Sequence, residues 1–196
     1  MYTLRFDGMF QTFDDKWPVG IGLLGYGWVI TRNDVEVAHG YGIFARRCDA
    51  GSNVAEYLAL IEGLEALADL QIKNHAVEVR GDAKCVIDQM LGQATVSTPL
   101  TLTLHRRAQK LARRYKHLTW TWVPRRENKH ADKLSRRSRQ HLHYSPHLEQ
   151  EIQNAQIIPL YGGRLIPLLD LRVHAPRTQA HLTSCLSDPL LSQRDR

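Results

Sequence analysis

Apolar and polar residues alternate from the first positions. Tyr2, Leu4 and Phe6 fall on one face of an extended segment, and Thr3, Arg5 and Asp7 on the other, the two-residue period of a half-buried strand. After a glycine-containing stretch come two more strand-like runs, GLLGYGWVI and VEVAHGYGIF, with RND between them as a hairpin turn. The period then lengthens. GSNVAEYLALIEGLEALADL repeats its apolar residues at helical spacing, with Ser52 and Asn53 as candidate N-caps. HAVEVRGD reads as a short strand ending at Asp82, and AKCVIDQMLG as a short helix closed by Gly92. VSTPLTLTLHRRAQKLARRY is a helix with Ser97 or Thr98 as cap, Pro99 in its first turn and an apolar stripe of Leu104, Ala108, Leu111 and Tyr115. LTWTWVP reads as a strand and NKHADKLSRRSRQHLH as a last helix. The order β-β-β-α-β-α-α-β-α predicts an α/β fold, a mixed sheet with helices packed against it.

The pattern weakens near Tyr144, beyond which five of the eight prolines lie. Residues 1–143 are therefore expected to form the folded domain. Residues 144–196 are expected to be a C-terminal extension: a short hairpin or docking segment at QIIPLYGGRLIPLLDLRV, then a disordered tail after His174. At 196 residues the chain can bury a real core. No run of about 18 apolar residues is present, so no membrane span is expected. The first residues lack the basic start and apolar core of a secretory signal. Cys48, Cys85 and Cys185 are widely spaced and match no metal-ligand pattern. A disulfide framework is not expected, and the cytoplasm is the expected compartment.

Charge adds a direction. The net charge is +6, but residues 105–139 hold thirteen Lys/Arg against two acids, Glu127 and Asp132, so the rest of the chain is net acidic. Such concentration suits a surface that faces a polyanion. Against that basic background four carboxylates stand out. Glu56 lies on the same helical stripe as Leu60, Leu64 and Leu67, where an ionised acid is costly unless paired or bound to a metal, although a frayed first turn also tolerates one. Asp7 and Asp82 end strands, where a turn or an N-cap is the ordinary role; Asp132 sits on a basic helix, where a surface ion pair is ordinary. Singly none persuades. Converging at one sheet edge, four carboxylates would repel unless divalent cations held them. Hard oxygen ligands favour Mg²⁺ or Mn²⁺, and a two-metal carboxylate site beside a basic surface points to phosphodiester chemistry.

The ordered segments FDG, SNVAEYLAL, RGDAKCVIDQM and WVPRRENKHADKLS resemble type 1 ribonuclease H over about residues 1–143. Only GQATVST separates the helix after Asp82 from the next, so the resemblance is to the compact branch without the extra basic handle. It implies a ribonuclease H-like mixed five-stranded sheet, three antiparallel strands then two parallel, with helices on both faces. It also implies an endonuclease that cuts the RNA strand of RNA–DNA hybrids, leaving 3′-hydroxyl and 5′-phosphate ends, with double-stranded RNA open as a second substrate and a monomer expected. Two Mg²⁺ ions would be held by Asp7, Glu56, Asp82 and Asp132, with Asp7 bridging them. Gly8, Ser52 and Asn53 match positions beside the scissile strand, where contacts can read the RNA 2′-hydroxyl. Arg125 and Asn128 match further substrate-side positions, and Arg106 and Arg113 are expected to contact nucleic acid.

Two departures accompany the resemblance. Arg125 stands nearest to where many relatives have a mobile histidine, and His130 is placed to face elsewhere. MFQTFDDKWPVGIG replaces the short Asn-Pro-Gly turn that follows the first aspartate in relatives. Trp120 and Trp122 share one strand face, with packing under a helix preferred to base stacking. The rivals are a hybrid-binding module without catalysis, and a 3′–5′ exonuclease of related fold. The exonuclease would carry Asp-x-Glu in the first strand, where this chain has Asp7-Gly8-Met9.

Overall fold

The computed structural model describes residues 1–12, 22–46, 51–142 and 173–174. Three long strands come first: β1 (Tyr2–Thr12), β2 (Gly22–Arg32) and β3 (Val35–Arg46). Then follow α1 (Ser52–Asp69), β4 (Ala76–Gly81), α2 (Lys84–Met90), α3 (Pro99–Ala112), β5 (His117–Trp122) and α4 (Lys129–Leu142), with a single 3-10 turn over Arg125–Glu127. The sheet runs β5-β4-β1-β2-β3, antiparallel through β1–β2–β3 and parallel through β1–β4–β5. A two-residue strand, β6 (Val173–His174), adds antiparallel to Gly42–Ile43 at the β3 edge. The expected hairpin and tail otherwise fall on residues outside those described. The β2–β3 turn is made by Asn33 and Asp34, with φ of 49° and 65°. Both are left-handed, as a two-residue hairpin turn of matching twist requires.

The alternation along β1 sorts the layers. Tyr2, Leu4 and Phe6 join the core with Val77 and Val79 of β4 and Trp28 and Ile30 of β2, beneath α1. Helix α1 is buried almost all round, because the sheet covers one side and α3 the other. Its Leu60, Leu64 and Leu67 are fully enclosed; burying each contributes about 1.5–3 kcal/mol. Leu104, Ala108 and Leu111 supply the α3 side of this contact; Tyr115 lies beyond the helix end at Ala112, and its hydroxyl donates to the Leu64 carbonyl (2.7 Å). Helix α4 covers the opposite face, against β1, β2 and β3.

Helix ends depart from the expected caps. Gly51 is the N-cap of α1; Ser52 and Asn53 are already helical, and no side-chain capping bond forms there. The Gly51 carbonyl accepts from Val54 and Ala55 instead. Likewise Ala83, not Asp82, caps α2, so the Asp82 side chain is not spent on the helix. Thr98 does cap α3, its hydroxyl accepting from the Thr101 N–H, and Pro99 opens the first turn.

Candidate active site

Parallel pairing of β1 with β4 stops at Phe6–Gly81. β1 continues against β2, with Asp7 opposite Gly27 and Gly8 opposite Tyr26, but β4 ends at Gly81. This leaves an opening at the carboxyl ends of the parallel strands, the usual place for a site in α/β sheets.

Side chains from both faces meet there. Gly8 turns its Cα toward α1 so closely that a Cβ would lie 2.2 Å from the Ala55 carbonyl carbon and the Glu56 nitrogen. Its N–H donates to Glu56 Oε2 (3.0 Å). The first turn of α1 thus lies directly on the strand, and Glu56 is aimed into the opening. The Gly8→Ala variant should lose at least about 3 kcal/mol, the upper range of overpacking costs, because rigid backbone blocks the new methyl. Urea unfolding measures this; a loss under about 1 kcal/mol would contradict the close packing.

Asp7, Glu56 and Asp82 each present an oxygen such that all three lie within 4.8 Å of one another, the one such group of possible metal ligands among the described residues. Asp7 and Glu56 are buried and Asp82 is half-buried. Burial, reinforced by the Asp82 and Asp132 charges, pushes Asp7 up to about 7 against the pull of Ser135 and Arg125. Glu56 is raised well above its ordinary value, by burial first and then by the Asp7 and Asp82 charges. Two acids therefore resist ionising together unless positive charge arrives. An all-oxygen donor set with no histidine or thiolate fits a hard divalent cation.

Asp132 does not join that group of three. Its carboxylate is held by Arg125, through both Nε (3.0 Å) and Nη2, and by Arg136, whose Nε lies 3.0 Å from Oδ2. The ordinary role, a surface ion pair, is thus realised beside the cluster, close enough for the Asp132 charge to act on Asp7. The Arg125 guanidinium in turn feels Asp132 first, then Asp7 and Asp82.

Asn128 is fully buried, and its Nδ2 donates to the Phe6 carbonyl (2.8 Å) and to Asp82 Oδ1 (2.6 Å). Its own Oδ1 has no partner among the described residues, so the side chain serves through its amide nitrogen. Ser135, missed by the sequence reading, is also fully buried; its hydroxyl donates to Asp7 Oδ2 and lies 2.9 Å from the Asp132 carbonyl oxygen. Ser52 and Asn53 stand exposed on the first turn of α1, one turn before Glu56. Arg106 and Arg113 lie on α3 and at its C-cap, and both are exposed. His130 pairs with Glu36 (3.5 Å) and so turns away from the carboxylates. Trp120 packs partly buried against the core, whereas Trp122 is 46% exposed and donates Nε1 to the Asp82 carbonyl (3.1 Å). The expectation that both tryptophans pack under a helix fails for Trp122, because β5 ends there, at the rim of the opening.

A mixed sheet of this strand order, helices on both faces and carboxylates at the parallel strand ends define a ribonuclease H-type domain. Residues 13–138 match the family described as reverse transcriptase-like. A bifunctional protein of Mycobacterium tuberculosis is 37% identical over 116 residues, covering 58% of this chain and 30% of that protein. The chain thus spans under a third of that relative's length. The crystal structure of RNase H1 from Halobacterium salinarum superposes with a TM-score of 0.61 at 31% identity, covering 71% of this chain and 98% of the other. LC11-RNase H1, solved in complex with an RNA/DNA hybrid, gives 0.55 at 28%, covering 68% and 93%. The chain belongs to the type 1 ribonuclease H family within the reverse transcriptase-like group.

Proposed function

We propose that this protein is an endonuclease that hydrolyses the RNA strand of RNA–DNA hybrids, leaving 3′-hydroxyl and 5′-phosphate ends. The observation that carries the reading is the meeting of Asp7, Glu56 and Asp82 within 4.8 Å at the open end of β4. The hybrid bound by LC11-RNase H1 supports the substrate class. Two Mg²⁺ ions, or Mn²⁺, would be held by Asp7, Glu56, Asp82 and Asp132, and would supply a water nucleophile at neutral pH and charge neutralisation at the leaving oxygen.

The chain's own residues prepare that site. Gly8 and Asn128 fix the Glu56 and Asp82 carboxylates by hydrogen bonds. Arg125 neutralises Asp132 and stands ready to take a phosphate oxygen when Asp132 is otherwise engaged; a guanidinium is a poor proton carrier at neutral pH. Ser52 and Asn53 line the approach to Glu56, where a 2′-hydroxyl can be read. Double-stranded RNA is the second duplex to offer.

A labelled hybrid with Mg²⁺ tests the reading. Internal cuts in the RNA strand support it, and trimming from a 3′ end supports the exonuclease. Binding without cutting supports the binding module, a reading that the Arg125 grip on Asp132 favours. Arg106 and Arg113 supply a separate check on the phosphate grip. The double alanine variant should lower the slope of log affinity against log salt by about 1.8, at roughly 0.9 per phosphate contact. An unchanged slope removes them from the interface.

A further inference from the structure

We infer that Ser135 is a positioning residue that aims Asp7 and sets how tightly the site holds its cations; the inference rests on the metal-dependent reading of this site. Asp7 lies on the α4 face of β1, opposite Gly27 in the antiparallel register. A Cβ on Gly27 would lie 2.4 Å from the Ser135 nitrogen and 2.6 Å from the Ala131 carbonyl oxygen. The missing side chain therefore lets the α4 backbone settle against the sheet beside Asp7. At that depth Ser135 is wholly enclosed, and its hydroxyl meets Asp7 Oδ2 with the Asp132 carbonyl 2.9 Å away.

The consequence is a fastening between two parts of the site. Asp7 belongs to the three-carboxylate cluster on the strand ends, while Asp132 rides on α4, one turn before Ser135. A carboxylate rotates freely about its terminal bond unless something holds an oxygen. Ser135 holds one oxygen of Asp7 from the helix that carries the fourth acid. The angle of the Asp7 carboxylate and the seating of α4 are therefore set together. Hydrogen-bond partners of this kind orient ligands, and their loss typically weakens metal affinity or activity by about 10–100-fold.

The test uses the full chain, freed of divalent ions by chelation and titrated calorimetrically with Mn²⁺ alone. Ser135→Ala should bind Mn²⁺ on the order of 10-fold more weakly than wild type. Ser135→Cys, close in volume but a weaker donor, should fall between the two. With Mg²⁺ and hybrid, kcat should drop for Ser135→Ala while KM stays unchanged, since the basic surface is untouched. A role confined to packing would move the melting temperature and leave the Mn²⁺ titration alone. Mn²⁺ affinity equal to wild type in Ser135→Ala overturns the inference. Wild-type protein that binds no Mn²⁺ overturns it together with the metal-dependent reading, and so separates the two failures.

Discussion

The Asp7→Asn variant is expected to bind an RNA–DNA hybrid and leave it uncut. The substituted amide keeps the shape of the side chain and an oxygen for the Ser135 hydroxyl, but removes the charge of the most central acid. Asp7 is buried, shares a 4.8 Å cluster with Glu56 and Asp82, and lies within electrostatic reach of Asp132. Cleavage should fall by a factor on the order of 10³ or more, equivalent to about 4 kcal/mol of transition-state stabilisation. The basic helices are unaltered, so the hybrid dissociation constant should change little. Gel shifts and single-turnover cleavage on one labelled hybrid separate the two quantities. Normal cutting by this variant sinks the site.

The same substitution should alter stability in the opposite sense. In chelator the Asp7 carboxyl titrates near 7 in the folded protein against 3.8 ordinarily, chiefly through burial. Between those values the folded state holds one more proton than the unfolded chain, so stability declines as pH rises. The decline is about 1.4 kcal/mol per pH unit within that window and levels off above it. Glu56, raised by burial first and then by the Asp7 and Asp82 charges, keeps its burial part in the variant and loses the Asp7 part. The difference between wild type and Asp7→Asn therefore reports the Asp7 proton together with the push of Asp7 on Glu56, both of one sign, and the variant should be the more stable one at pH 8. Urea midpoints at pH 5 and pH 8 decide this; equal pH dependence would mean that Asp7 is not strained by its surroundings.

Much of this architecture is readable from residue order because the signals are local. Alternation in β1 puts Asp7 off the apolar face, and the spacing of Glu56 with Leu60, Leu64 and Leu67 puts an acid on the buried stripe of α1. Turn chemistry marks the β2–β3 hairpin at Asn33 and Asp34. Other features depend on how distant segments seat. The end of α1 carries no glycine: Gln71 takes the left-handed conformation (φ 58°) while Ile72 closes the turn by bonding back to Leu67. Burial of Ile72 offsets the strain of a side chain there. The Ser135–Asp7 contact needs the Asp7–Gly27 register and the bare α-carbon of Gly27, neither visible as a periodic pattern. Arg136 sits one helical turn after Asp132, a spacing that foretells an ion pair, whereas Arg125 reaches Asp132 only because the 3-10 turn before α4 brings it back.

Asn128→Asp should be the most damaging isosteric change outside the four acids. Asn128 Nδ2 donates to the Phe6 carbonyl, one residue before Asp7, and to Asp82 Oδ1, while the Asn128 backbone carbonyl receives the Asp132 N–H (3.0 Å). The fully buried side-chain amide thereby joins β1 to the end of β4, while the backbone of the same residue takes the start of α4. An aspartate there would turn lone pairs toward a carbonyl and a carboxylate, with no donor on either side. Stranding each buried acceptor costs about 1–3 kcal/mol, and an uncompensated buried charge about 3–5 kcal/mol. A loss of at least about 3 kcal/mol at pH 8 is expected on these grounds. The new carboxyl would be driven toward its protonated form by burial and by Asp82, and a protonated carboxyl regains one donor. The folded state then holds the extra proton, so the deficit relative to wild type should shrink as pH falls from 8 to 5. Urea unfolding across that range measures both the loss and its recovery. A variant within about 0.5 kcal/mol of wild type at pH 8, the range of ordinary surface substitutions, would show that the Asn128 side chain does not tie β1 to the end of β4.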